Sequence, residues 1–331
     1  MSRAERSDLR EPADIGAADG DSAAQDLEVF RADVLSGLSA HPKALSAKYF
    51  YDAAGSRLFD AICELDEYYP TRTELKILKA HAGDIAARAG SGATLVEFGA
   101  GSLVKVRLLL EALRDPTAYV PIDISQEHLL AASGVLAREY RNLTVLPLVA
   151  DFTRAVQIPA HAGSRMLGFF PGSTLGNFTP VDATAFLRQA GETLGPSSLF
   201  VLGIDLKKDT RRLEAAYNDR KGVTAAFNLN LLTRINRELA GTFDLTAFRH
   251  RAVFNTEEGR IEMHLESLAD QTVEVAGQRV SFVAGETIHT ENSYKYSTDD
   301  ITARARAAGW QVEQVWTDPH ALFAVCLLAR D

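Results

Sequence analysis

The chain has 331 residues, of which 46% are hydrophobic and 24% charged, a composition typical of a globular protein with about two domains. Its 35 basic and 44 acidic residues give a net charge of -9, which disfavours nucleic acid and anionic membranes as partners because both attract basic surfaces. Two isolated cysteines and no long apolar run predict a cytoplasmic protein without a membrane span, disulfide framework or zinc site.

The N-terminal part divides into two segments. Residues 1–25 are polar and small, and we expect a disordered tail because they have little apolar area to bury. From Leu27 onwards apolar residues recur at helical spacing, and residues 46–77 are rich in aromatic side chains. Residues 26–80 are therefore assigned to the N-terminal helical part of a substrate domain.

Residues 81–207 alternate short apolar strands with helices, which is typical of a doubly wound, Rossmann-like α/β sheet. The predicted strands are residues 94–98, 119–124, 144–149, 166–170 and 198–205, and the predicted helices are residues 106–113, 129–140 and 179–194. Thr179 as N-cap and Pro180 as first helical residue mark the start of the last of these helices.

After residue 207 the alternation ends. Residues 208–240 show a helical pattern, and residues 250–292 alternate apolar and polar side chains as antiparallel strands do. We expect residues 208–296 to be an insertion that completes the α+β substrate domain. Residues 297–331, a helix capped by Ser297 and two strands, are predicted to return to the core.

Glycine, aspartate and phenylalanine follow the first three predicted strands, where ligands bind in open α/β sheets. Gly99 and Gly101 follow the first strand, and Asp123 ends the second, where a carboxylate can accept both ribose hydroxyls. Asp151 and Phe152 follow the third and suit an adenine. The third glycine of the dinucleotide fingerprint is absent, which disfavours NAD and favours S-adenosylmethionine, a cofactor without a pyrophosphate.

The fourth strand ends in a glycine turn, FPGSTLGN, at residues 170–177. Its last residue, Asn177, has an amide that can accept from a substrate amine and donate to a carboxylate. Taken singly, each of these motifs is also explained as a tight turn, a helix cap or core packing. Their order along the chain favours a cofactor site beside a substrate site.

Seven segments in order between residues 30 and 330 carry a family resemblance: KYFYDAAGSRLFD, EYYPTRTE, FGAGS, GSTLGN, GVTAAFN, RIEMHL and HTENSYKY. They resemble the histidine N-alpha-methyltransferases of ergothioneine biosynthesis, enzymes of the class I methyltransferase fold. The resemblance implies three transfers of a methyl group from S-adenosylmethionine to the α-amine of L-histidine, giving hercynine and S-adenosylhomocysteine. We further expect a monomer that needs no metal.

The resemblance also implies the site residues. Substrate-binding positions of the family match Tyr51, Phe59, Tyr68, Gly172, Thr174, Asn177, Tyr217, Met263, Glu291 and Ser293. Cofactor positions match Gly99, Lys105, Asp123, Asp151 and Phe152, with Gly101 added from the glycine turn. Tyr51 and Asn177 are assigned as the catalytic pair that holds the amine, and Glu291 and Ser293 as the pair that binds the imidazole. Val106 follows Lys105 where the family usually has Thr or Ser.

Two other functions stay open on the sequence. The same fold can methylate another amino acid such as tryptophan, or bind S-adenosylmethionine without turnover. Glu291 and Ser293 favour an imidazole, because an indole needs apolar room instead. The eight histidines show no ligand-like spacing, and Lys207 and Lys208 are expected at an exposed helix start.

Overall fold

The computed structural model describes residues 19–101, 103–163 and 165–331. The helices in this part are α1 (Asp19–Ser39), α2 (Ala53–Cys63), α3 (Tyr69–Ala89), α4 (Leu103–Ala112), α5 (Gln126–Glu139), α6 (Pro180–Leu194), α7 (Thr210–Tyr217), α8 (Val223–Glu238) and α9 (Thr298–Ala307). The strands are β1 (Lys43–Ala44), β2 (Thr94–Phe98), β3 (Ala118–Asp123), β4 (Thr144–Val145), β5 (Leu148–Val149), β6 (Met166–Phe170), β7 (Leu199–Asp205), β8 (Phe248–Asn255), β9 (Arg260–Ser267), β10 (Gln271–Val275), β11 (Gln278–Phe282), β12 (Thr287–Tyr294), β13 (Gln311–Thr317) and β14 (Phe323–Ala329). None of these helices combines the length and apolar character that a membrane crossing needs.

The larger sheet has the strand order β13-β14-β7-β6-β2-β3-β4, with β5 also paired to β3. Strands β2 to β7 run parallel, and β13 and β14 extend the sheet antiparallel. Helices α3 and α4 cover one face and α6 and α9 the other, so this sheet is the predicted doubly wound α/β core. Its strand order reverses between β2 and β6, and ligands bind at such a switch point.

The smaller sheet has the order β1-β12-β9-β8, antiparallel except for β1, with β10 and β11 as a separate hairpin. The apolar side of this sheet packs against the N-terminal helices and against α7 and α8. Backbone hydrogen bonds just after β12 attach it to the core, because Tyr296 N donates to Asp205 O (3.1 Å) and Lys207 N to Tyr296 O (3.0 Å). The end of β12 is thereby held at the carboxyl edge of the core sheet.

Three boundaries differ from the sequence prediction. Helix α1 begins at Asp19, inside the segment predicted as a disordered tail, since its Ala-rich start favours a helix; residues 1–18 of that tail lie outside the described residues. Helix α3 runs through the boundary predicted between residues 80 and 81. The strand predicted at residues 144–149 is interrupted at Pro147, which has no backbone N–H to donate.

The buried carboxyl group of Glu97 lies inside the core sheet. Glu97 is 1% exposed in β2, and its carboxyl accepts a hydrogen bond from the Tyr119 hydroxyl in β3. Burial raises the pKa of Glu97 from 4.5 to about 8, against the opposing effect of the Tyr119 hydrogen bond. The folded protein therefore holds this proton over a pH range in which the unfolded chain releases it.

Glu97→Gln tests this buried proton. Because the folded pKa lies above the unfolded one, Glu97 lowers stability progressively as the pH rises from 4.5 to 8. We expect Glu97→Gln to exceed the wild type in free energy of unfolding by about 2–4 kcal/mol at pH 8, and to match it near pH 4.5. Urea titrations at both pH values measure this, with the exposed Glu192→Gln as control. An equal difference at both pH values would contradict it.

Candidate active site

The glycine turn after β2 lies at the carboxyl edge of the core sheet. Gly99 has φ +76°, and its N–H donates to Ile122 O (2.8 Å) in β3. A Cβ at Gly99 would lie 3.4 Å from the Phe152 ring, whereas a Cβ at Gly101 would meet no atom within 4 Å. The backbone of the turn is therefore not covered by side chains at Gly101, which allows a ligand to approach it closely.

The two predicted acidic residues lie at the same edge. Asp123 ends β3, accepts from Ser125 N (2.8 Å), and has its pKa raised by burial. Asp151 follows β5 and accepts from the N–H (2.9 Å) and the hydroxyl (2.6 Å) of Thr153. The Phe152 ring packs on Phe170 with a centroid distance of 5.6 Å. Glycine turn, carboxylates and ring thus line one edge of adjacent strands, in the predicted order.

Lys105 has a partner that the sequence did not suggest. Its ammonium lies 2.6 Å from the fully buried carboxylate of Glu74 in α3, and this carboxylate also accepts from Gly172 N (2.9 and 3.0 Å). Gly203 leaves the room for it, because a Cβ there would lie 2.0 Å from Glu74 Oε1. Glu74 therefore fixes Lys105 and the turn after β6 relative to each other.

The turn after β6 continues as a short 3₁₀ helix, Thr174–Asn177. The Thr174 hydroxyl donates to Pro171 O (2.9 Å) inside this turn. A Cβ at Gly176 would lie 2.7 Å from Tyr294 O, so this glycine lets the turn lie against β12 of the smaller sheet. The half-buried side chain of Asn177 has no hydrogen-bond partner within the described part of the chain.

Aromatic rings from the N-terminal segments and from α7 and α8 form one cluster. The ring centroids of Tyr51 and Phe59 are 5.7 Å apart and those of Phe59 and Tyr68 are 6.3 Å apart, both pairs in edge-to-face geometry. The centroids of Tyr68 and Tyr217 are 6.2 Å apart. Phe227 in α8 contacts Tyr51 (5.9 Å) and Phe59 (6.0 Å), a contribution that sequence reasoning missed although Phe227 lies in the quoted segment GVTAAFN. The predicted aromatic residues are thus brought together from the end of the 3₁₀ turn Ala47–Phe50, from α2, from the start of α3 and from α7.

The hydroxyls of Tyr51 and Tyr68 accept or donate no hydrogen bond among the described residues. Burial raises the pKa of both, and the charge of Glu291 raises them further. The charge of Asp123 also raises the pKa of Tyr51. The Tyr51 hydroxyl therefore lies within electrostatic reach of both Glu291 and Asp123, and the Tyr68 hydroxyl within reach of Glu291.

Glu291, Ser293 and Met263 come from the smaller sheet. Glu291 in β12 pairs in register with Met263 in β9, and Ser293 pairs with Ile261, so all four side chains belong to one face of the sheet. A bulge between His289 and Glu291 sets this register. Burial raises the pKa of Glu291 to about 7 although the charge of Lys295 opposes it, and the half-buried carboxylate has no hydrogen-bond or ion-pair partner in the described residues.

Ser293 and Tyr217 share a hydrogen-bond network with a lysine that sequence reasoning missed. The two hydroxyl oxygens are 2.7 Å apart, and Lys295 Nζ donates to Ser293 Oγ (2.7 Å) and to Tyr217 Oη (3.1 Å). Lys295 also lies 2.9 Å from Asp205 Oδ2 at the end of β7. The sequence signal was present, because Glu291, Ser293 and Lys295 are spaced by two and therefore share a strand face.

Asp205 is the centre of this network. It accepts from the Tyr69 hydroxyl (2.8 Å to each oxygen) and pairs with Lys208 as well as Lys295. The expectation that Lys207 and Lys208 are both exposed is wrong for Lys208. Its side chain is only 7% exposed, because it forms an ion pair with the buried carboxylate of Asp205. Lys207 is 53% exposed and pairs with Asp300 (2.8 Å).

Comparison with known proteins decides the family. Residues 30–330 match the family described as "Histidine-specific methyltransferase, SAM-dependent". The chain belongs to this family. It is 44% identical over 315 residues to the Histidine N-alpha-methyltransferase of Mycolicibacterium smegmatis, covering 94% of this chain and 97% of that protein.

Two further relatives agree with this family. The Histidine N-alpha-methyltransferase of Mycobacterium tuberculosis is 42% identical over 306 residues, which cover 91% of this chain and 94% of that protein. The Ergothioneine biosynthesis protein 1 of Neurospora crassa is 32% identical over 289 residues, which cover 83% of this chain but 32% of that longer protein. The resemblance stated from the seven sequence segments is confirmed by these matches.

The fold brings two of the histidines of this methyltransferase together, which their spacing along the chain does not indicate. His264 and His289 lie together with Glu262 on the face of the smaller sheet opposite Glu291, and ligand-type atoms of the three lie within 4.8 Å of one another. Spacing along the chain did not show this, since β9 and β12 bring the rings together. Glu262 is already paired with Arg260 (2.7 Å) and accepts from His264 Nε2 (3.1 Å), so we describe the cluster as a hydrogen-bonded ion-pair network.

Proposed function

We propose that the chain transfers three methyl groups in succession to the α-amine of free L-histidine, which gives hercynine for ergothioneine biosynthesis. The observation that carries this proposal is the half-buried Glu291 carboxylate, which has no partner within the described residues and whose charge acts on the buried hydroxyls of Tyr51 and Tyr68. A carboxylate in such a position binds a ligand that brings its own N–H donor. An imidazole ring is such a ligand.

The edge formed by Gly99, Asp123 and Phe152 fits S-adenosylmethionine, which supplies an electrophilic methyl group on a sulfonium. Asp123 has one oxygen engaged by Ser125 N, and its carboxylate is available to ribose hydroxyls. Gly99 leaves the backbone free of a side chain, and Phe152 presents a ring for the adenine. Lys105 contributes through Glu74, which orients the turn at Gly172, rather than as a free cation.

Substrate contacts follow from the unpartnered groups. The amide of Asn177 and the hydroxyls of Tyr51 and Tyr68 face the pocket and hold the α-amine and the carboxylate of histidine. Tyr217 and Ser293 lie beside Glu291, where they complete the contacts of the ring. Met263, Gly172 and Thr174 limit the room around the substrate. A larger indole offers no second polar contact to this group of side chains.

Methyl transfer requires the protein mainly to position a neutral amine for in-line displacement at the methyl group. A free α-amine with a pKa of about 8 is mostly protonated at pH 7, and burial beside a positive sulfonium disfavours the ammonium. The proton therefore leaves on binding, through the tyrosine hydroxyls to water, without a dedicated base. The trimethylated product is a permanent cation, which the faces of Phe59 and Tyr51 stabilise by about 0.5–2 kcal/mol.

Mass spectrometry of the purified protein with S-adenosylmethionine and a panel of amino acids tests the function. We expect mono-, di- and trimethylhistidine to form in succession and no other amino acid to be methylated. Methylation of tryptophan instead would overturn the substrate and keep the cofactor. Cofactor binding without any product would favour a non-catalytic binding module. Since one chain supplies all pocket residues, we expect activity from a cytoplasmic monomer, which sedimentation measures.

A further inference from the structure

Lys295 is the most deeply buried charged group near the substrate pocket among the described residues, and the reaction outlined above does not use it. Its side chain is 0% exposed, and it is the first residue after β12, two positions beyond Ser293. A buried ammonium is costly unless it is paired and hydrogen-bonded. Lys295 therefore has to be explained by its partners.

Three partners surround the ammonium. Asp205 Oδ2 lies 2.9 Å away, Ser293 Oγ 2.7 Å and Tyr217 Oη 3.1 Å. A lysine ammonium has three donors and no acceptor, so these contacts use all three of its protons. Burial by itself lowers the pKa of Lys295, but the charge of Asp205 raises it above its ordinary value, and the ammonium stays charged.

The charges do not balance within this network. Lys208 and Lys295 both contact Asp205, one positive charge more than that carboxylate balances, and the further negative charge of Asp318 acts on Lys208. Glu291 is the nearby negative charge without a contacting partner within the described residues, and Lys295 is the group whose charge lowers its pKa. The surplus of the Asp205 network and the unpaired carboxylate of the pocket therefore offset each other.

We propose that Lys295 is a positioning and specificity residue for the ring-binding end of the pocket: it directs the hydroxyls of Ser293 and Tyr217 and offsets the charge of Glu291. This inference rests on the proposed function and names a determinant of its substrate class. The class is a free amino acid with a neutral ring that carries one N–H donor and one nitrogen acceptor.

The donor count explains this class. Ser293 and Tyr217 both accept from Lys295, and one of them donates to the other across 2.7 Å. One hydroxyl proton is left, and it is available to a ligand nitrogen with a lone pair. Glu291 in its ionised form accepts the ring N–H. Without Lys295 the hydroxyls of Ser293 and Tyr217 can rotate freely. The pocket then no longer selects a ring nitrogen that accepts a hydrogen bond over one that donates it.

Lys295→Met removes the charge and the donors while keeping the length of the side chain. We expect the KM for histidine to rise about 30-fold, with a smaller change in kcat and an unchanged Kd for S-adenosylmethionine. Lys208→Met is the matched control, because Lys208 contacts Asp205 but neither Ser293 nor Tyr217. It should change the KM far less. Lys295→Arg should restore part of the loss.

The pH profile separates positioning from a structural role. The titratable groups around Glu291 and Lys295 are Tyr51, Tyr68, Asp205, Lys208, Tyr217 and Tyr296. With Lys295 lost, Glu291 takes up its proton more readily, so the acidic limb of kcat/KM for histidine moves to higher pH. An unmoved limb, or equal KM changes for Lys295→Met and Lys208→Met, overturns the inference.

Two further readouts complete the test. If Lys295→Met does not fold, Lys295→Gln replaces it, since Gln keeps a donor without the charge; the limb should then move while the KM rises less. Wild-type protein that leaves histidine unmethylated contradicts the proposed function. Active wild type with an unaffected Lys295→Gln contradicts the inference on Lys295 alone.

Discussion

Glu291→Ala should raise the KM for histidine on the order of 100-fold, which corresponds to about 3 kcal/mol, the largest effect we expect from a pocket residue. The carboxylate is half-buried and has no partner in the described part of the chain, and in the proposed function it accepts a hydrogen bond from the ring N–H of histidine. Removing the Glu291 carboxylate leaves the ring N–H of histidine buried without an acceptor. Steady-state kinetics with histidine varied at saturating S-adenosylmethionine measure this change.

The same variant should leave the Kd for S-adenosylmethionine within about twofold of the wild type, because the proposed cofactor residues follow strands of the core sheet whereas Glu291 belongs to the smaller sheet. Glu257→Ala, which removes an exposed carboxylate from the turn between β8 and β9, is the matched control and should behave as the wild type. Calorimetric titration with the cofactor gives the second constant. Equal losses of histidine and cofactor affinity would show that Glu291 supports the fold of the pocket rather than reading the ring.

The pH dependence of binding follows from the same carboxyl group. Its folded pKa of about 7 lies above the ordinary 4.5, so the ionised form is reached only near neutral pH. Histidine affinity should therefore rise as the pH increases through 7 and Glu291 loses its proton. The stability of the ligand-free protein changes in the opposite sense, since deprotonation of a buried carboxyl costs folding free energy between pH 4.5 and 7.

The cofactor edge was predictable from sequence because its residues follow local rules. Parallel strands end at one edge, so Gly99, Asp123 and Asp151 had to lie near one another once β2, β3 and β5 were recognised. Glu291 and Ser293 were likewise assigned to one strand face by their spacing of two. Segments with conspicuous motifs therefore allowed the positions of most of the proposed site residues in the fold to be predicted.

The supporting groups were not predictable in the same way. Lys208, Lys295 and Asp205 are charged, and charged residues are rarely fully buried unless paired. Their pairing depends on the attachment of the end of β12 to the end of β7, a contact between residues about 90 positions apart in the chain. Glu74 is a similar case, since its place depends on the space left by Gly203 in β7. Such partners become visible only when both sheets are assembled.

Asp123→Ala should weaken S-adenosylmethionine binding on the order of 100-fold and leave the protein folded. Asp123 ends β3 with one carboxylate oxygen held by Ser125 N, so the geometry of the side chain is fixed before any ligand binds. A preorganised carboxylate that accepts two ribose hydroxyls contributes two charge-assisted hydrogen bonds. Titration calorimetry with S-adenosylmethionine and with S-adenosylhomocysteine measures both affinities.

Glu127→Gln provides the matched control for this variant. Glu127 lies four residues later in α5, and its side chain is exposed. Glu127→Gln therefore removes one negative charge from the same region without changing the edge of the sheet. If long-range charge attracts the cationic cofactor, the two variants weaken binding equally and the dependence on salt is strong. If Asp123 binds the ribose directly, only Asp123→Ala loses affinity for the cofactor. A cofactor analogue that lacks a ribose hydroxyl should then lose less affinity in the variant than in the wild type. The second pattern is the one that the fixed carboxylate at the end of β3 predicts.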